Sequence, residues 1–217
     1  MLHALTYAFV DAVNVLLIGV LVALAMMAAA GRYARVAALL VFGDWLGVLL
    51  TALVVLLAFD SLGQFVKHIV ESALFGILLI LAGLVSLVLA IRGGDSSPLI
   101  NRILEPLRSP SPLTVVVGAV LGAIQSLTSV PFFAGLAVLS ASDIPAVQRY
   151  TGLFLYATVA LSLPTLAALF LGLVRWAPGS PLRRLFDVAR AHKDLVVRGA
   201  GILVAALLIG IGILHVV

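Results

Sequence analysis

Six long apolar stretches dominate the chain, each separated from the next by a short segment that carries polar residues. The stretches cover residues 5–29, 36–59, 68–91, 112–140, 150–174 and 198–216. At a rise of about 1.5 Å per residue, a helix of each length can cross a hydrocarbon core of about 30 Å. The pattern therefore predicts an all-α, polytopic membrane protein with six transmembrane helices.

Basic residues are divided unevenly between the connecting segments, and this predicts the orientation. Lys67 and Arg149 lie in the second and fourth segments, whereas all other lysines and arginines lie in the first, third and fifth. Lysine and arginine are enriched on the cytoplasmic side of membrane proteins. We therefore expect a multi-pass protein of the inner (cytoplasmic) membrane with both termini outside.

A segment rich in Gly, Ser and Pro divides the chain into two halves of three spans. Residues 93–111 form this predicted cytoplasmic linker between a first repeat, 1–92, and a second, 112–217. The odd number of spans gives the halves opposite orientations. Arg32-Tyr33 opens the second span and Arg149-Tyr150, 117 residues later, opens the fifth. Together these features predict two inverted three-helix repeats, a plan that recurs in transporters.

The first span carries two polar residues that a lipid-facing helix would not tolerate. A helix entered near residue 5 places Asp11 roughly 9 Å and Asn14 roughly 14 Å deep. A spacing of three puts both side chains on one helix face. An ionisable group at this depth costs at least a few kcal/mol unless it faces a partner, an ion or a water-filled cavity. We expect Asp11 and Asn14 to belong to an ion-coupling or substrate site.

The fourth span contains a second polar segment, with Gln125, Thr128, Ser129 and Pro131 inside an apolar run. The shift of 117 residues that aligns the two halves carries the polar pair of the first span onto Thr128 and Pro131. Proline removes a backbone donor and disturbs the preceding turn. The segment is either a kink whose hydroxyl groups satisfy the backbone or a break that lines a substrate path.

Asp44 is the second acidic residue inside a predicted span, and it is flanked by Gly43 and Gly47. Small residues four apart allow another helix to approach closely, so Asp44 could face Asp11 and Asn14 across a tight contact. It is either a clamp between helices or part of the coupling site. Two carboxylates in one poorly hydrated site do not both ionise easily, so one of them could load and release a proton.

Two weaker signals lie in the fourth and fifth spans. Tyr156, Ser162 and Pro164 repeat the combination of polar residues and proline, and they are candidates for secondary lining, although packing and kinking also explain them. Gly118 and Gly122 form a small-residue stripe suited either to internal packing or to a homodimer contact. We expect a homodimer.

Composition excludes several other classes of protein. The chain is 64% hydrophobic and 10% charged, against roughly 25% charged in soluble domains. Its net charge of +4 is carried by connecting segments, where membrane lipids rather than nucleic acid are the expected partner. Residues 180–195 carry several of these basic residues, and their pattern predicts a basic amphipathic helix on the inner leaflet.

No enzyme template fits the sequence. The chain has no cysteine, which excludes disulfides and thiolate metal sites. Its histidines lie at or beyond the ends of the spans, so none is placed to activate a serine inside the membrane. Neither a paired-histidine zinc signature nor a phosphate-binding glycine loop is present. We expect no catalytic residue, no metal and no cofactor.

The layout resembles the L-lysine exporter superfamily, whose members have six spans built from two three-helix repeats. Asp11-Ala-Val-Asn14 falls where amino-acid exporters of that superfamily carry a Pro-Gly-Pro-Asn stretch, and Thr128-Ser-Val-Pro131 resembles the matching motif of the fourth span. The first span lacks the prolines of that motif. The nearest resemblance is to the peptidoglycolipid-addressing protein family, which implies export of large glycolipids.

We therefore expect a secondary transporter that exports a lipid, a glycolipid or a small amphiphilic metabolite and is coupled to a proton or ion gradient. One alternative is a non-transporting accessory or scaffold subunit of a larger lipid-export complex, and another is an exporter of small cations or amino acids. An exporter requires a polar cavity that reaches Asp11 or Asp44, whereas a clamp buries both. In the transport mechanism, Asp11, Asn14 and Asp44 form the coupling site and residues 125–131 form the opposite wall.

Overall fold

The structure, a computed structural model, describes residues 2–28, 31–92, 107, 110–176, 188 and 192–216. These residues form α-helices and contain no β-strand. The helices are α1 (Leu2–Asp11), α2 (Val15–Met27), α3 (Tyr33–Leu62), α4 (Gln64–Val70), α5 (Ala73–Arg92), α6 (Pro112–Thr128), α7 (Val130–Ala141), α8 (Ala146–Ala160), α9 (Ser162–Trp176) and α10 (Lys193–Val216). The prediction of an all-α protein is confirmed.

Five helical stretches among the described residues are long and apolar enough to cross a membrane. Two of them consist of two consecutive helices each, α1 with α2 and α8 with α9. A sixth span is obtained when α6 and α7, which meet at an angle of 76°, are counted together. The chain is thus a polytopic membrane protein, and its spans fall on the predicted apolar stretches.

The structure refines some of the predicted bounds. The third stretch, predicted at 68–91, is divided: α4 is a short helix that ends at Val70, and the long helix α5 begins only at Ala73. Gly63 separates α3 from α4 with a φ of 36°, a conformation that glycine adopts without a steric penalty. Most of the predicted amphipathic helix at 180–195 and most of the linker at 93–111 lie outside the described residues; the end of the former, from Lys193, is the start of α10.

Helices α3 and α6 pack with their backbones in contact. Gly43 and Gly47 on α3 face Gly118 and Gly122 on α6, and a methyl group added at any of these positions would overlap the backbone of the other helix. Between membrane helices, close packing of this kind supplies attraction that the hydrophobic effect does not. The stripe on the fourth span therefore serves internal packing, the first of the two alternatives that the sequence left open.

A second pair of helices, α5 and α10, packs through glycines at the edge of the molecule. Gly76 and Gly83 on α5 lie against α10, and Gly212 on α10 lies against the backbone of α5. The opposite surfaces of both helices carry exposed apolar residues such as Leu81, Leu89 and Leu203. Those surfaces have the composition expected of a lipid-facing wall.

The remaining helices cross between the two halves of the chain. Helix α1 packs on α7 and α8, and α2 packs on α9. The loops between spans two and three and between spans four and five also meet, because Lys67 Nζ lies 3.0 Å from Asp143 Oδ1. The two segments therefore lie at the same end of the helix bundle.

Candidate functional site

The first span is broken at Ala12–Asn14 even though it contains no proline. Helix α1 ends at Asp11, and α2 begins at Val15 with Asn14 as its N-cap. Asn14 is buried, and its Oδ1 accepts a hydrogen bond of 2.7 Å from the backbone N–H of Leu17. An asparagine side chain at this position replaces the carbonyl that the interrupted helix no longer supplies. Asn14 thus stabilises the break.

The fourth span is broken at Ser129, between α6 and α7. The hydroxyl of Thr128 donates to the carbonyls of Ile124 and Gln125, each at 3.0 Å. Ser129 Oγ accepts from the backbone N–H of Phe132 at 3.2 Å, and Pro131 lies in the first turn of α7, where a missing N–H costs nothing. The two hydroxyl groups bind backbone N–H and C=O groups, as expected for a kink. The bend of 76° between α6 and α7, however, shows that the helix is broken here.

The two breaks face each other through a direct hydrogen bond. The hydroxyl of Ser129 donates to Oδ1 of Asp11. A side-chain donor beside a carboxylate stabilises its charged form, but no described lysine or arginine lines the surrounding cavity. Among the residues that the structure describes, the Ser129 hydroxyl is the hydrogen-bond donor that offsets a charge on Asp11.

A cavity of about 320 Å³ lies at the meeting point of the breaks. Its polar lining is Asp11, Asn14, Ser86, Gln125, Thr128 and Ser129. Val204 and Leu208 of α10 contribute to an apolar wall. Gln125 Oε1 is buried without a hydrogen-bond partner among the described residues. An unpartnered acceptor at the edge of a polar cavity is suited to a donor on a bound molecule.

The cavity opens toward the outer surface of the helix bundle. Val15, Ile124 and Val130 line it and are also 37%, 53% and 40% exposed. Exposed apolar side chains around an opening are the composition expected of a lipid-facing surface.

Asp44 is buried outside the cavity. Its side chain is fully inaccessible, and neither carboxylate oxygen has a hydrogen-bond partner among the described residues. It lies near enough to Asp11 for the two carboxylates to interact electrostatically. A partnerless carboxylate in such a place is far more stable in its neutral form.

The structure brings together six of the predicted site residues and leaves four outside the cavity lining. Asp11, Asn14, Gln125, Thr128, Ser129 and Pro131 line the cavity; Asp44, Tyr156, Ser162 and Pro164 do not. Tyr156 supports the site indirectly, because its buried hydroxyl donates to the carbonyl of Pro131 at 3.5 Å. Ser162 and Pro164 instead begin α9 beyond the break at Leu161.

Sequence reasoning missed one polar lining residue, Ser86 of the third span. The signal was present, since Ser86 is a hydroxyl residue inside the apolar run of α5. A single serine satisfies itself easily within a helix, so it predicts no site without the position of its neighbours. Its place in the cavity shows that the α5–α10 pair completes the site.

No protein-family model, curated protein or solved structure matches the chain. The function must therefore be inferred from the chemistry of the cavity. Two broken helices, a carboxylate without a basic partner in the lining and an apolar wall together can bind a small molecule that has a polar or cationic group and an apolar part.

Proposed function

We propose that the protein is a secondary transporter that exports a small amphiphilic metabolite or a lipid, coupled to a proton or ion gradient. The observation that carries this proposal is the polar cavity that reaches Asp11 between the two helix breaks. A clamp between helices would have buried Asp11 in contacts. Asp44 alone fits the clamp, and it is the observation that keeps the accessory-subunit alternative open.

Charge compensation supports proton coupling. Asp11 has the Ser129 hydroxyl as its hydrogen-bond partner, and Asp44 has none in the described part of the chain. Because none of the described basic residues lines the cavity, a proton, a cation or a substrate amine would offset negative charge there. A proton and a cationic substrate would compete for Asp11. This competition is the simplest source of antiport, in which a proton enters as the substrate leaves.

The size and opening of the cavity define the substrate class. A volume of about 320 Å³ is at the lower end of the range of about 300–1,000 Å³ for small-molecule sites. A headgroup or a small metabolite fits, whereas a whole glycolipid does not. Since the opening faces the bilayer, an attached acyl chain would remain in lipid while the headgroup occupies the site.

The positions of the breaks support an inverted repeat. Helix α1 ends at Asp11 and α6 ends at Thr128, and the same shift of 117 residues relates Tyr33 to Tyr150 near the starts of α3 and α8. Paired broken helices at a pseudo-two-fold axis are a recurrent transporter arrangement. We further propose that the chain belongs to the L-lysine exporter superfamily. It would lie in the inner membrane as a homodimer, with both termini outside.

Profiling of exported compounds tests the function. Cells that carry the wild-type chain, Asp11→Asn or no chain would be compared for lipids and small metabolites in the medium and the envelope, with and without a protonophore. We expect one class of compound to require the wild-type chain and the proton gradient. Asp143→Asn, which alters an exposed loop carboxylate, is the matched control and should export normally.

Equal profiles in all strains would refute export by this chain. Normal export by Asp11→Asn would instead favour the accessory subunit, because a scaffold does not need the charge in the cavity. Compounds that depend on the chain but ignore the protonophore would refute proton coupling while leaving transport in place.

A further inference from the structure

Two polar clusters tie the halves of the chain together. The first, the Asp60 latch, consists of Asp60, Ser140, Arg149 and Tyr150. Arg149 Nη1 lies 3.1 Å from Asp60 Oδ1 and donates to the carbonyl of Ser140 at 2.9 Å. The hydroxyls of Ser140 and Tyr150 donate to the two oxygens of Asp60 at 2.6 and 3.0 Å. The latch joins the end of α3 to α7 and α8.

The second cluster, the Tyr33 latch, consists of Tyr33, Arg175 and the carbonyl oxygens that they bind. The Tyr33 hydroxyl donates to the carbonyl of Ala168 on α9 at 3.1 Å. Arg175 lies over the Tyr33 ring at 5.5 Å and donates to the carbonyls of Ala25 and Ala28, the latter at 2.8 Å. The latch joins the start of α3 and the end of α2 to α9.

The latches occupy opposite ends of the molecule. Tyr33 and Asp60 are at the two ends of α3, and the residues between them extend about 40 Å at 1.5 Å per residue. From the two breaks, α2 runs to Ala25 and Ala28 of the Tyr33 latch, and α7 runs to Ser140 of the Asp60 latch. The cavity thus has one latch on each side.

Each latch is backed by an apolar plug. Phe132, Leu136 and Tyr156 belong to the buried cluster on the Asp60 side, and Leu17 and Leu21 belong to the buried cluster that includes Tyr33. These buried side chains lie between the cavity and the latches, so a wide path from either end requires them to separate. Separation requires the helices that the latches hold together to move apart.

The Asp60 latch is held closed but is incompletely satisfied. Its ion pair is largely buried, with 19% of the Asp60 side chain and 21% of the Arg149 side chain exposed. Arg149 Nε is buried without an acceptor among the described residues. Opening would let water satisfy this donor, which offsets part of the cost of breaking the ion pair.

We propose that the two latches are the alternating gates of the transporter, so that one opens to each aqueous face while the other stays closed. This inference rests on the proposed function. The Arg-Tyr pairs of the two halves supply a tyrosine to each gate, and each tyrosine bonds to the opposite half. Weakening one latch should therefore expose the cavity to one face only.

Sided labelling of a single cysteine tests the gates without a substrate. The chain has no native cysteine, so Ser86→Cys places one reporter thiol in the cavity. A membrane-impermeant maleimide would be applied to right-side-out and to inverted membrane vesicles. In the closed protein, labelling should be slow from both faces. Added Asp60→Asn should raise the rate from one face by roughly tenfold, the factor expected for one hydrogen bond to a charged group.

Tyr33→Phe, which removes only the hydroxyl, should raise the rate from the opposite face. Tyr150→Phe is the milder variant of the Asp60 latch and should act on the same face as Asp60→Asn, with a smaller increase. Asp143→Asn and Arg35→Gln alter exposed charged residues outside the latches and are the matched controls, expected to leave both rates unchanged.

The outcomes separate the gates from the transport proposal. Equal acceleration from both faces, no acceleration, or acceleration from the same face by Asp60→Asn and Tyr33→Phe would each overturn the gates. Equally fast labelling of Ser86→Cys with and without a latch substitution would also overturn the gates. Because no substrate is used, the gates can fail while Asp11-dependent export stands, and export can fail while sided labelling is seen.

Discussion

The surroundings of Asp11 and Asp44 differ sharply, although both carboxylates lie inside predicted spans. Asp11 ends a broken helix, bonds to Ser129 and faces a cavity. Asp44 lies within the continuous helix α3, where the adjacent glycines bring the backbone of α6 against it. Asp11 is thus accessible from a cavity, whereas Asp44 is enclosed by packed helices.

The difference originates in the backbone. A continuous membrane helix satisfies its own N–H and C=O groups, so it can pack tightly and exclude everything else. A broken helix leaves backbone N–H groups that need other hydrogen-bond partners. Asn14 and Ser129 cap these groups, and their side chains add polar atoms to the space around Asp11. The position of a break, more than the presence of an acid, decides where a site can form.

The largest effect on stability is expected when the close contact between α3 and α6 is disrupted. In Gly118→Ala, the added methyl group would overlap the carbonyl oxygen of Leu40 and press on the backbone of Asp44. Since backbone atoms cannot rotate away, we expect a loss of about 3 kcal/mol in the free energy of unfolding, the upper end of the usual cost of overpacking. Reversible unfolding in mixed micelles measures this loss.

Gly210→Ala provides the control, because nothing lies within 4 Å of a methyl group there. Alanine favours a helix over glycine by up to about 1 kcal/mol, so this variant should be unchanged or slightly stabilised. Similar losses for both variants would show that α3 and α6 do not pack as described.

The sequence predicted the spans well because twenty or so consecutive apolar residues have few alternatives to a membrane helix. It also predicted most of the cavity lining, since Asp11, Asn14 and the 125–131 segment are too polar for lipid. Contacts between the helices were harder to predict. The pairing of Gly118 with Gly43, and of Asp60 with Arg149, depends on contacts between residues distant in the chain, which local patterns do not encode.

The break in the first span was similarly hidden. Without a proline, the segment around Asn14 has no residue that forbids a helix. The break exists because the Asn14 side chain caps α2 and Asp11 finds Ser129 on the other half. These are tertiary interactions, and they override the helical preference of the apolar residues on either side.

The next largest effect is expected at the caps of the broken region. Asn14→Ala leaves the buried N–H of Leu17 without its acceptor, and Ser129→Ala removes the acceptor of Phe132 N–H. Each should lower the free energy of unfolding by about 1–2 kcal/mol. Asn14→Ser and Ser129→Thr keep a neutral oxygen acceptor and should recover most of the loss; if they unfold as easily as the alanine variants, the caps do not hold the breaks.

A smaller effect is expected when Asp44 is neutralised by substitution. Asp44→Asn keeps the shape of a side chain that already lacks partners, so we expect a change below about 1 kcal/mol. Infrared spectra should show the carbonyl stretch of a protonated carboxyl group at neutral pH, and that band should vanish in Asp44→Asn. A band unaltered by the substitution would mean that Asp44 is ionised and has a partner or bound cation.

The smallest effect is expected at the surface, outside the spans. The hydrogen bond to Asp143, followed by the charges of Asp143 and Glu71, raises the pKa of Lys67. The ion pair between Lys67 and Asp143 therefore stabilises the fold at pH values below the ordinary pKa of lysine. This stabilisation is lost as the pH rises through the raised pKa of Lys67. Asp143→Asn should return the pKa of Lys67 toward its ordinary value in an NMR titration, with little change in stability because the pair is exposed.

We propose that Asp11 couples transport to protons through its place in the cavity. Flux of the compound identified by export profiling, measured in proteoliposomes across an imposed pH gradient, tests this coupling. Asp11→Asn retains size and can still accept the Ser129 hydrogen bond, but it cannot titrate. We expect wild-type protein and Asp143→Asn to move the compound against its concentration gradient and Asp11→Asn to fail; full gradient-driven flux by Asp11→Asn would show that Asp11 is not the coupling residue.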